Sequence, residues 1–254
     1  MTDIPVSHPR YASLVARERV TEGVKKGHTS SQGLIAQGRG ECFDYLLGEK
    51  TTSSAKVATS AAAVLLLLAE RPALSVNGNV AALVAEEMVA LANTLQIPLE
   101  VNLFHRSEER VKKIADLLRE KGAKNVLGEK PDASVPGLEH ARALATRGGI
   151  YDADIVLIPL EDGDRCEALT AMGKKVIAID LNPLSRTARK ATVSIVDNIL
   201  RAVPHLTEQV ERLSDAPRMD LEKMVQEYDN ERVLRQAVQE IQNHLDIQFR
   251  KESN

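Results

Sequence analysis

Five short stretches of the chain are apolar at most positions and lack the regular apolar and polar alternation of a half-exposed strand. They are ALSVN at 73–77, PLEVNLF at 98–104, DIVLIPL at 154–160, KKVIAID at 174–180 and TVSIVDN at 192–198. Strands of this kind are typical of parallel sheets that are buried on both faces. The pattern therefore predicts a sheet covered by helices on both sides.

Apolar residues recur at helical spacing in the segments around these strands. The predicted helices lie at about 9–27, 31–47, 51–70, 80–95, 106–121, a short segment between 160 and 174, 198–213 and 220–246. Three glycines, Gly33, Gly38 and Gly40, are expected to interrupt the second helix. A brief strand is expected at 125–127, and the charged stretch 128–149, with its prolines and glycines, is interpreted as a long connection or insertion.

Strands that alternate with helices predict an α/β fold, with a doubly wound, mostly parallel, Rossmann-like sheet and helical N- and C-terminal segments. We expect a single α/β domain over 1–254, with a helical N-terminal region at 1–70, a ligand-binding α/β core at 71–200 and C-terminal helices at 201–254. Sheets of this type bind ligands beyond the carboxyl ends of their strands. The residues that follow the predicted strands are Asn77-Gly78-Asn79, Phe104-His105-Arg106, Glu161-Asp162-Gly163-Asp164, Asp180-Leu181-Asn182 and Asp197-Asn198.

Composition and charge narrow the class of partner. The 254 residues are 43% hydrophobic but only 3% aromatic, so the core must be built from aliphatic side chains. A formal net charge of -3 argues against sequence-independent binding of nucleic acid, which needs a basic surface. The two cysteines, Cys42 and Cys166, lack metal-ligand spacing and are expected to be reduced thiols. With no signal-peptide pattern and no apolar run long enough for a bilayer, we expect a cytoplasmic protein with no membrane partner.

The stretch AIDLNPLSRTAR, at 178–189, has the densest set of hydrogen-bonding side chains. Asp180 follows a predicted strand and could accept hydrogen bonds from ribose hydroxyls or an adenine amino group. Ser185, Arg186 and Thr187 could hold a ribose or a phosphate, because a guanidinium offers paired donors to phosphate oxygens. The alternative is an Asx-Pro turn with solvated arginines. We favour a binding site, because a turn alone does not need Ser, Arg and Thr together.

Three shorter motifs each allow a functional and a structural interpretation. In GLIAQGRGE, Arg39 lies between glycines that let the backbone approach a phosphate, or it is a surface arginine on a broken helix. In SVNGNVAAL, Asn77 and Asn79 are presented into a site or belong to a plain strand-to-helix turn. The acidic turn EDGD, from Glu161 to Asp164, could bind Mg²⁺ or an ammonium group, or could cap a helix.

Several common catalytic motifs are missing from the sequence. It has no Walker loop, no three-glycine dinucleotide fingerprint, no Gly-x-Ser-x-Gly elbow, and no His-x-x-x-His or Cys-x-x-Cys pair. The remaining residues suit phosphate chemistry, in which a protein works by positioning and by charge. From the residues alone, the prediction is an α/β enzyme or binding protein for an anionic ligand, with a nucleotide favoured.

Seven motifs carry a resemblance to a known family. They are IPVSHPRYASLVARE, GLIAQGRGE, FDYLLGEK, SVNGNVAAL, EVNLFHRSEERV, VLIPLEDGDR and KKVIAIDLNPLSRTARKATVSIVDNILRAVP. In these the chain resembles the archaeal phosphopantothenate synthetase family, also called 4-phosphopantoate–β-alanine ligases, over roughly residues 1–204. One position departs from the family pattern, because Gln37 stands where AHGRGE is expected. A role of that histidine therefore does not transfer to this chain.

The resemblance implies a step of coenzyme A biosynthesis. ATP, 4-phosphopantoate and β-alanine would give 4′-phosphopantothenate, AMP and pyrophosphate through an acyl-adenylate, which the β-alanine amine attacks. Mg²⁺ is expected on the polyphosphate of ATP. The resemblance also implies a homodimer, for which the long terminal helices could supply the interface.

The resemblance also assigns candidate site residues by position. The implied ATP contacts are Arg17, Arg39, Asp180, Leu181, Asn182, Ser185, Arg186, Thr187, Asn198 and Ile199. Among these, we expect Asp180 and Asn182 nearer the nucleoside and Arg186 and Thr187 nearer the phosphates. The candidates for the phosphate of the second substrate are Asn79, His105 and Arg106, and those for the β-alanine ammonium are Glu161 and Asp162.

Two other classes of protein remain open from the residues alone. The first is a nucleotide-binding oxidoreductase, against which the missing three-glycine fingerprint counts. The second is a noncatalytic nucleotide-sensing module, which would bind ATP without turning it over.

Overall fold

The computed structural model of the protein describes residues 4–251. Its helices are α1 (Tyr11–Lys26), α2 (Ser31–Leu47), α3 (Ser53–Leu68), α4 (Gly78–Leu95), α5 (Glu108–Glu120), α6 (Gly163–Ala171), α7 (Arg186–Lys190), α8 (Ile199–Leu213), α9 (Arg218–Gln226) and α10 (Asn230–Lys251). Its strands are β1 (Pro72–Val76), β2 (Leu99–Val101), β3 (Val126–Leu127), β4 (Ala133–Ser134), β5 (Leu144–Ala145), β6 (Ile155–Pro159), β7 (Lys175–Ile179) and β8 (Val193–Ile195).

Six of these strands form one parallel sheet in the order β3-β2-β1-β6-β7-β8. Numbered along the chain, these six strands have the 3-2-1-4-5-6 order of the Rossmann fold. Leu74 of β1 pairs with Leu99 of β2 on one side and with Leu157 of β6 on the other. The predicted doubly wound, parallel α/β fold is confirmed.

Apolar side chains cover the sheet on both faces, as the absence of alternation predicted. Along β6, Ile155 and Leu157 belong to a core that is completed by α3, α4, α5 and α8. The intervening Val156 and Ile158 belong to a second core, formed with α6 and the segment before β6. Every residue of β6 is buried. In this environment an apolar side chain at each position of the strand stabilises the folded protein, by about 25 cal/mol per Å² of apolar area buried.

Local sequence signals fix many of the helix ends. Gly27 and Gly48 end α1 and α2 in the left-handed conformation, with φ of 77° and 91°, which glycine adopts without steric cost. Thr52 caps α3 by accepting a hydrogen bond from the amide of Ala55. The predicted end of the first helix at Gly27 is confirmed.

The second helix differs from the prediction, because α2 runs without interruption through its three glycines. At Gly33 a Cβ would lie 2.3 Å from Oδ1 of Asn79 and 2.4 Å from Oγ1 of Thr29. At Gly40 a Cβ would lie 3.3 Å from the side chain of Leu181. These two glycines therefore let the helix pack closely on its neighbours, and they do not break it.

The single helix predicted at 220–246 is wrong, since α9 and α10 are separate. The break allows Asn230 to bind the edge of the sheet. Its Oδ1 accepts the amide of Ser194 at 2.8 Å, and its Nδ2 donates to the carbonyls of Ala188 and Ala191. Strand β8 is an edge strand, so this side chain satisfies a backbone group that no further strand reaches.

The long connection predicted at 128–149 contains regular structure of its own. Strands β4 and β5 pair as an antiparallel ribbon, and a 3₁₀ turn, Ala141–Ala143, precedes β5. Strands β4 and β5 have two residues each and are too short for a periodic signal, so the sequence pattern did not predict them.

Candidate functional site

A cleft of about 410 Å³ opens at the carboxyl ends of the parallel strands. It includes residues that directly follow β1, β6, β7 and β8, together with one side of α2. Strands β1 and β6 are neighbours whose connections leave in opposite directions, so the cleft lies at the switch point of the sheet. Ligands of doubly wound folds bind at this place.

Asn77 joins the two strands at the switch point. Its Nδ2 donates to the carbonyls of Pro159 and Leu160, at 3.0 and 3.1 Å. Its Oδ1 accepts the amides of Asn79 and Val80 and thereby caps α4. The structural interpretation of this motif is therefore confirmed, and Asn77 also lies in the cleft wall.

Asn79 holds α2 over the cleft. Its Nδ2 donates to the carbonyl of Gly33 at 3.0 Å, and its Oδ1 accepts the hydroxyl of Thr29 at 2.6 Å. At Gly78 a Cβ would lie 2.7 Å from the carbonyl oxygen of His28. The single glycine of the SVNGN turn therefore allows the segment before α2 to pack against the first turn of α4.

Three of the helices that begin at the cleft have an N-cap side chain that accepts a backbone amide. They are α4, α6 and α8, capped by Asn77, Asp162 and Asn198. Helix N-termini carry partial positive charge and unpaired amides, so they attract anions. The EDGD turn is confirmed as a helix cap, because Oδ1 of Asp162 accepts the amide of Arg165 at 3.0 Å.

Three arginines line the cleft: Arg39, Arg110 and Arg142. Arg39 is exposed on α2 and makes no hydrogen bond or ion pair within the described part of the chain. Arg110 donates to the carbonyls of His105 and His28, and its Nε is buried without a hydrogen-bond partner among residues 4–251. Burial lowers the pKa of Arg110 from its ordinary value, yet the guanidinium keeps its charge.

Arg142 is anchored by acidic and carbonyl groups around the cleft. Its Nη1 donates to Oε2 of Glu161 at 3.0 Å, and its Nη2 forms an ion pair with Oε1 at 2.9 Å. Nη1 also donates to the carbonyl of Asn102 at 3.0 Å. Glu161 receives a further hydrogen bond from Nη1 of Arg165 at 2.5 Å. A buried carboxylate is thus shared by two buried arginines.

The loop after β7 contains the motif that the sequence singled out. Asp180 accepts the amide of Asn182 at 3.0 Å and the hydroxyl of Ser185 at 2.5 Å. Ser185 in turn caps α7 by accepting the amide of Ala188. Burial raises the pKa of Asp180 above its ordinary value. The turn interpretation is confirmed and so is the expected partial burial of Asp180, while its contact with a nucleotide stays a prediction.

Thr187 and Arg186 connect this loop to the turn after β6. The Thr187 hydroxyl donates to the carbonyl of Glu161 at 2.9 Å and is buried. Arg186 forms an ion pair with Asp164 and is largely exposed. Of the implied ATP contacts, Leu181, Asn198, Ile199 and Arg39 lie in the cleft wall. The cleft wall does not include the loop residues Asp180, Asn182, Ser185, Arg186 and Thr187.

Asn198 is held by a charged network that the sequence did not reveal. Its Nδ2 donates to Asp44 of α2 at 2.8 Å. Arg201 of α8 bridges Asp44 and Asp197, with N–O distances of 2.5 and 2.6 Å. Burial alone would lower the pKa of Arg201, but the two carboxylates hold it above its ordinary value. The network fixes α2 against the start of α8.

Two further predicted arginines, Arg17 and Arg106, also lie away from the cleft wall. Arg17 donates two hydrogen bonds to Glu41, at 2.8 and 2.6 Å, and these lower the pKa of Glu41. Arg17 instead borders a groove between α1, α4 and α5. Arg106 donates to the carbonyl of Gly128 at 2.6 Å, whereas Arg110, one helical turn later, lines the cleft beside His105.

The remaining candidates are placed as follows. Gln37, Asn79, His105, Glu161 and Asp162 all lie in the cleft wall. Cys166 is buried and its Sγ donates to the carbonyl of Thr187. Burial raises the pKa of the Cys166 thiol to about 12, so it is not a thiolate nucleophile at neutral pH.

Sequence reasoning missed Arg110, Arg142, Arg165 and Asp44. Arg110 belongs to the helical pattern FHRSEERV, and its position one turn after Arg106 was the available signal. Arg142 lies in the aperiodic insertion and Arg165 in a helix of nine residues. Their contacts with Glu161 depend on tertiary structure and leave no local signal.

Two features are absent from the part of the chain that the structure describes. None of the helices within residues 4–251 has the length and apolar content that a membrane-spanning helix requires. The same residues contain no group of three or more His, Cys, Asp or Glu side chains that could hold a metal ion.

The fold and the cleft define an α/β protein of the Rossmann-like class whose cleft suits an anionic ligand. The strand order, the switch point, three helix N-termini and three arginines all meet at one edge of the sheet. Comparison with known proteins identifies the family within that class. The chain belongs to the phosphopantothenate/pantothenate synthetase family, whose profile matches residues 54–244.

Individual relatives cover nearly the whole chain. It is 56% identical over 245 residues to the 4-phosphopantoate–β-alanine ligase of Methanosarcina mazei, which covers 96% of both proteins. It is 53% identical over 246 residues to the ligase of the same name from Thermococcus onnurineus, covering 96% of this chain and 94% of that one. The identity to the Methanospirillum hungatei ligase is 53% over 203 residues. The predicted family is confirmed, and neither alternative class is supported by these similarities.

Proposed function

We propose that this protein is an ATP-dependent carbon–nitrogen ligase that joins 4-phosphopantoate to β-alanine and forms 4′-phosphopantothenate for coenzyme A biosynthesis. The observation that carries the proposal is the identity of 53% to 56% to ligases of this name over almost the full chain. The cleft agrees with it, because a reaction between anionic substrates requires cations and helix N-termini around the reacting groups.

The proposed reaction has two steps. A carboxylate oxygen of 4-phosphopantoate attacks the α-phosphorus of ATP, the α–β phosphoanhydride bond breaks, and pyrophosphate leaves. The β-alanine amine, after losing a proton, then attacks the acyl carbon, and AMP leaves with the carboxylate oxygen. No protein nucleophile is required, and the buried thiol of Cys166 is not placed to supply one.

We assign ATP to the side of the cleft formed after β7 and β8. Leu181, Asn198 and Ile199 line this side, and the N-terminus of α8 faces it. Arg39 lies on α2 and has no partner among residues 4–251, so its guanidinium can donate to a phosphate. The ATP roles of Arg17, Asp180, Asn182, Ser185, Arg186 and Thr187 stay part of the proposal.

We assign the phosphate of the second substrate to the side formed after β1 and β2. His105 and Arg110 lie there, and the Nε of Arg110 has no hydrogen-bond partner in the described structure. We therefore assign to Arg110 the role that was expected for Arg106, whose guanidinium donates to the carbonyl of Gly128. Asn79 contributes by holding α2 in place.

Asp162 is the better candidate of the two acids for the β-alanine ammonium. Both oxygens of Glu161 are occupied, because Oε2 accepts hydrogen bonds from two arginines and Oε1 accepts the amide of Asp162 and pairs with Nη2 of Arg142. In Asp162, Oδ1 caps α6, whereas Oδ2 forms an ion pair with Nε of Arg142 at 3.4 Å but no hydrogen bond with the described residues. A carboxylate oxygen without a donor can accept one from an ammonium group.

Mg²⁺ is proposed as part of the ATP substrate. Because the described residues contain no cluster of metal ligands, the ion would be held mainly by phosphate oxygens, as Mg²⁺ often is in nucleotide enzymes. When bound, it neutralises the polyphosphate. Asp162 and Asp164 are the nearest acids at the turn after β6, and Asp164 is already paired with Arg186.

A homodimer is likewise proposed from the family resemblance, and sedimentation velocity at several concentrations tests it. A species with the mass of one 27.8 kDa chain at all concentrations would contradict it.

Product analysis with each substrate omitted in turn tests the function. Incubation with MgATP, 4-phosphopantoate and β-alanine is expected to give 4′-phosphopantothenate and AMP in equal amounts, with neither product when any substrate is omitted. Unphosphorylated pantoate is expected to react poorly, because the cations of the phosphate site would stay unpaired. Formation of ADP would contradict the adenylate route, and absence of an amide product would contradict the ligase.

A further inference from the structure

Arg165 is the most buried cation in the described structure that has a connection to the cleft. Its side chain is 0% exposed, and its Nη1 donates to Glu161 at 2.5 Å and to Ser75 at 2.9 Å. Its Nε and Nη2 are buried and make no hydrogen bond with any residue of 4–251. A buried charge with unpaired donors lowers stability compared with an apolar side chain of similar volume. Stability alone therefore does not explain an arginine at this position.

Glu161 connects Arg165 to the cleft. One of its oxygens, Oε2, accepts hydrogen bonds from Arg165 and from Nη1 of Arg142. The other, Oε1, accepts the amide of Asp162 and forms an ion pair with Nη2 of Arg142 at 2.9 Å. Glu161 and Arg142 line the cleft, whereas Arg165 lies behind them. The fork of Arg142 is thus aligned by a carboxylate whose own position is set by Arg165.

The contacts of Arg142 place it on the side of the cleft away from the proposed ATP residues. Its guanidinium contacts the carbonyl of Asn102, directly after β2, and the carboxylate of Glu161, after β6. It therefore spans the end of β1, on the side where Arg110 and His105 lie. Its Nε lies 3.4 Å from Oδ2 of Asp162 but forms no hydrogen bond.

The charges of the cluster explain why a second arginine lies behind Glu161. Arg142 contacts two carboxylates, Glu161 and Asp162, so without Arg165 these groups would carry one net negative charge and repel an anion. With Arg165 on the buried side, two guanidiniums balance the two carboxylates and this repulsion is removed. The low dielectric around buried charges strengthens this effect.

We propose that Arg165 is a positioning residue, which acts through Glu161 to orient Arg142 toward an anionic group of 4-phosphopantoate. The proposal deepens the proposed function and rests on it. Arg165 does not touch the substrate, and its effect is expected in the binding of one substrate and not of the other.

The test compares Arg165→Met and Arg165→Lys with wild type in steady-state kinetics for each substrate. Arg165→Met is expected to raise the KM for 4-phosphopantoate by about tenfold, the effect of losing one charge-assisted contact, with an unchanged KM for ATP. Arg165→Lys keeps the charge but not the geometry of the guanidinium, so an intermediate KM is expected.

Lys174→Met is the matched control. Lys174 is also a buried cation, but its Nζ donates to the carbonyls of Tyr151 and Ala153 and not to any cleft residue. It is expected to lower the melting temperature without changing either KM. A KM for 4-phosphopantoate that is unchanged in Arg165→Met, or equally raised in Lys174→Met, would overturn the proposal.

A milder variant covers the case in which Arg165→Met does not fold. Ser75→Ala removes only the hydrogen bond from Nη1 of Arg165 to the Ser75 hydroxyl. It is expected to raise the KM for 4-phosphopantoate to a smaller extent, and an unchanged value would then overturn the proposal. The activity of the wild-type protein separates the two possible failures. If the wild type forms no 4′-phosphopantothenate, the proposed function and the role of Arg165 are both overturned. If the wild type is active and the variants have its KM for 4-phosphopantoate, only the role of Arg165 is overturned.

Discussion

Arg39 provides the sharpest test of where ATP binds. The sequence implied two further arginines, but Arg17 is held by Glu41 and Arg186 by Asp164. Arg39 is exposed in the cleft wall, with no hydrogen bond or ion pair in the described structure. Arg39→Ala should therefore remove a contact with the ligand and none within the protein.

The magnitude follows from the kind of contact that is lost. A hydrogen bond to a charged group contributes about 1.5–3 kcal/mol. At about 1.36 kcal/mol for each factor of ten, Arg39→Ala should lower kcat/KM for ATP by about 10- to 150-fold. The midpoint of urea unfolding should not change, because the folded protein loses no partner.

Steady-state kinetics and urea unfolding of the same preparations provide the assay. The control is Arg235→Ala on α10, since Arg235 is also exposed and pairs only with exposed Glu231. It should change neither quantity appreciably, because exposed ion pairs are weak. Wild-type ATP kinetics in Arg39→Ala would refute the assignment of Arg39 to a phosphate, and a loss of stability would show that the residue has a structural role.

Three further predictions follow from the contacts. Asp180→Asn should weaken ATP binding in a calorimetric titration with little change in melting temperature, since both residues make Asx turns; equal affinities would reduce Asp180 to turn chemistry. Arg201→Met should lower the free energy of unfolding by about 3–5 kcal/mol, because it leaves two buried aspartates without their cation. A decrease in the free energy of unfolding below about 1 kcal/mol, which is typical of a surface ion pair, would contradict the buried network. The hydrogen bonds from Arg17 lower the pKa of Glu41, so they stabilise the fold above the ordinary value of 4.5 and lose that effect as the pH falls through the lowered pKa. The stability difference between wild type and Arg17→Ala should therefore shrink in acid, and a difference independent of pH would count against the ion pair.

The strands and the location of the site could be predicted from sequence because their signals are local. Five apolar runs gave the strands of the central sheet, apart from the brief β3, which was expected at 125–127. Since parallel strands end at a common edge, the polar residues after them were expected to converge. Asn77, Asn79, Glu161 and Asn198 do line one cleft.

The remainder depended on contacts that join distant parts of the chain. Gly33 looked like a helix breaker, but the side chains of Asn79 and Thr29 occupy the space next to it. Arg142 and Arg165 lie on either side of Glu161 and meet only through the fold. A sequence pattern does not distinguish these arginines from the many that remain on the surface.

The interpretation of the loop after β7 shows a further limit. The sequence set a turn against a binding site, and Asp180 makes the turn with both of its oxygens, one residue before Leu181 of the cleft wall. Titration with ATP tests whether the same residue also contacts the nucleotide.

The central claim is that the protein activates a carboxylate by adenylation and transfers the acyl group to an amine. The most direct measurement uses 4-phosphopantoate labelled with ¹⁸O in its carboxylate, together with MgATP and β-alanine. If the carboxylate attacks the α-phosphorus, one ¹⁸O atom from each turnover should be found by mass spectrometry in AMP, with none in pyrophosphate. Label in inorganic phosphate with formation of ADP, or AMP without label, would contradict the account.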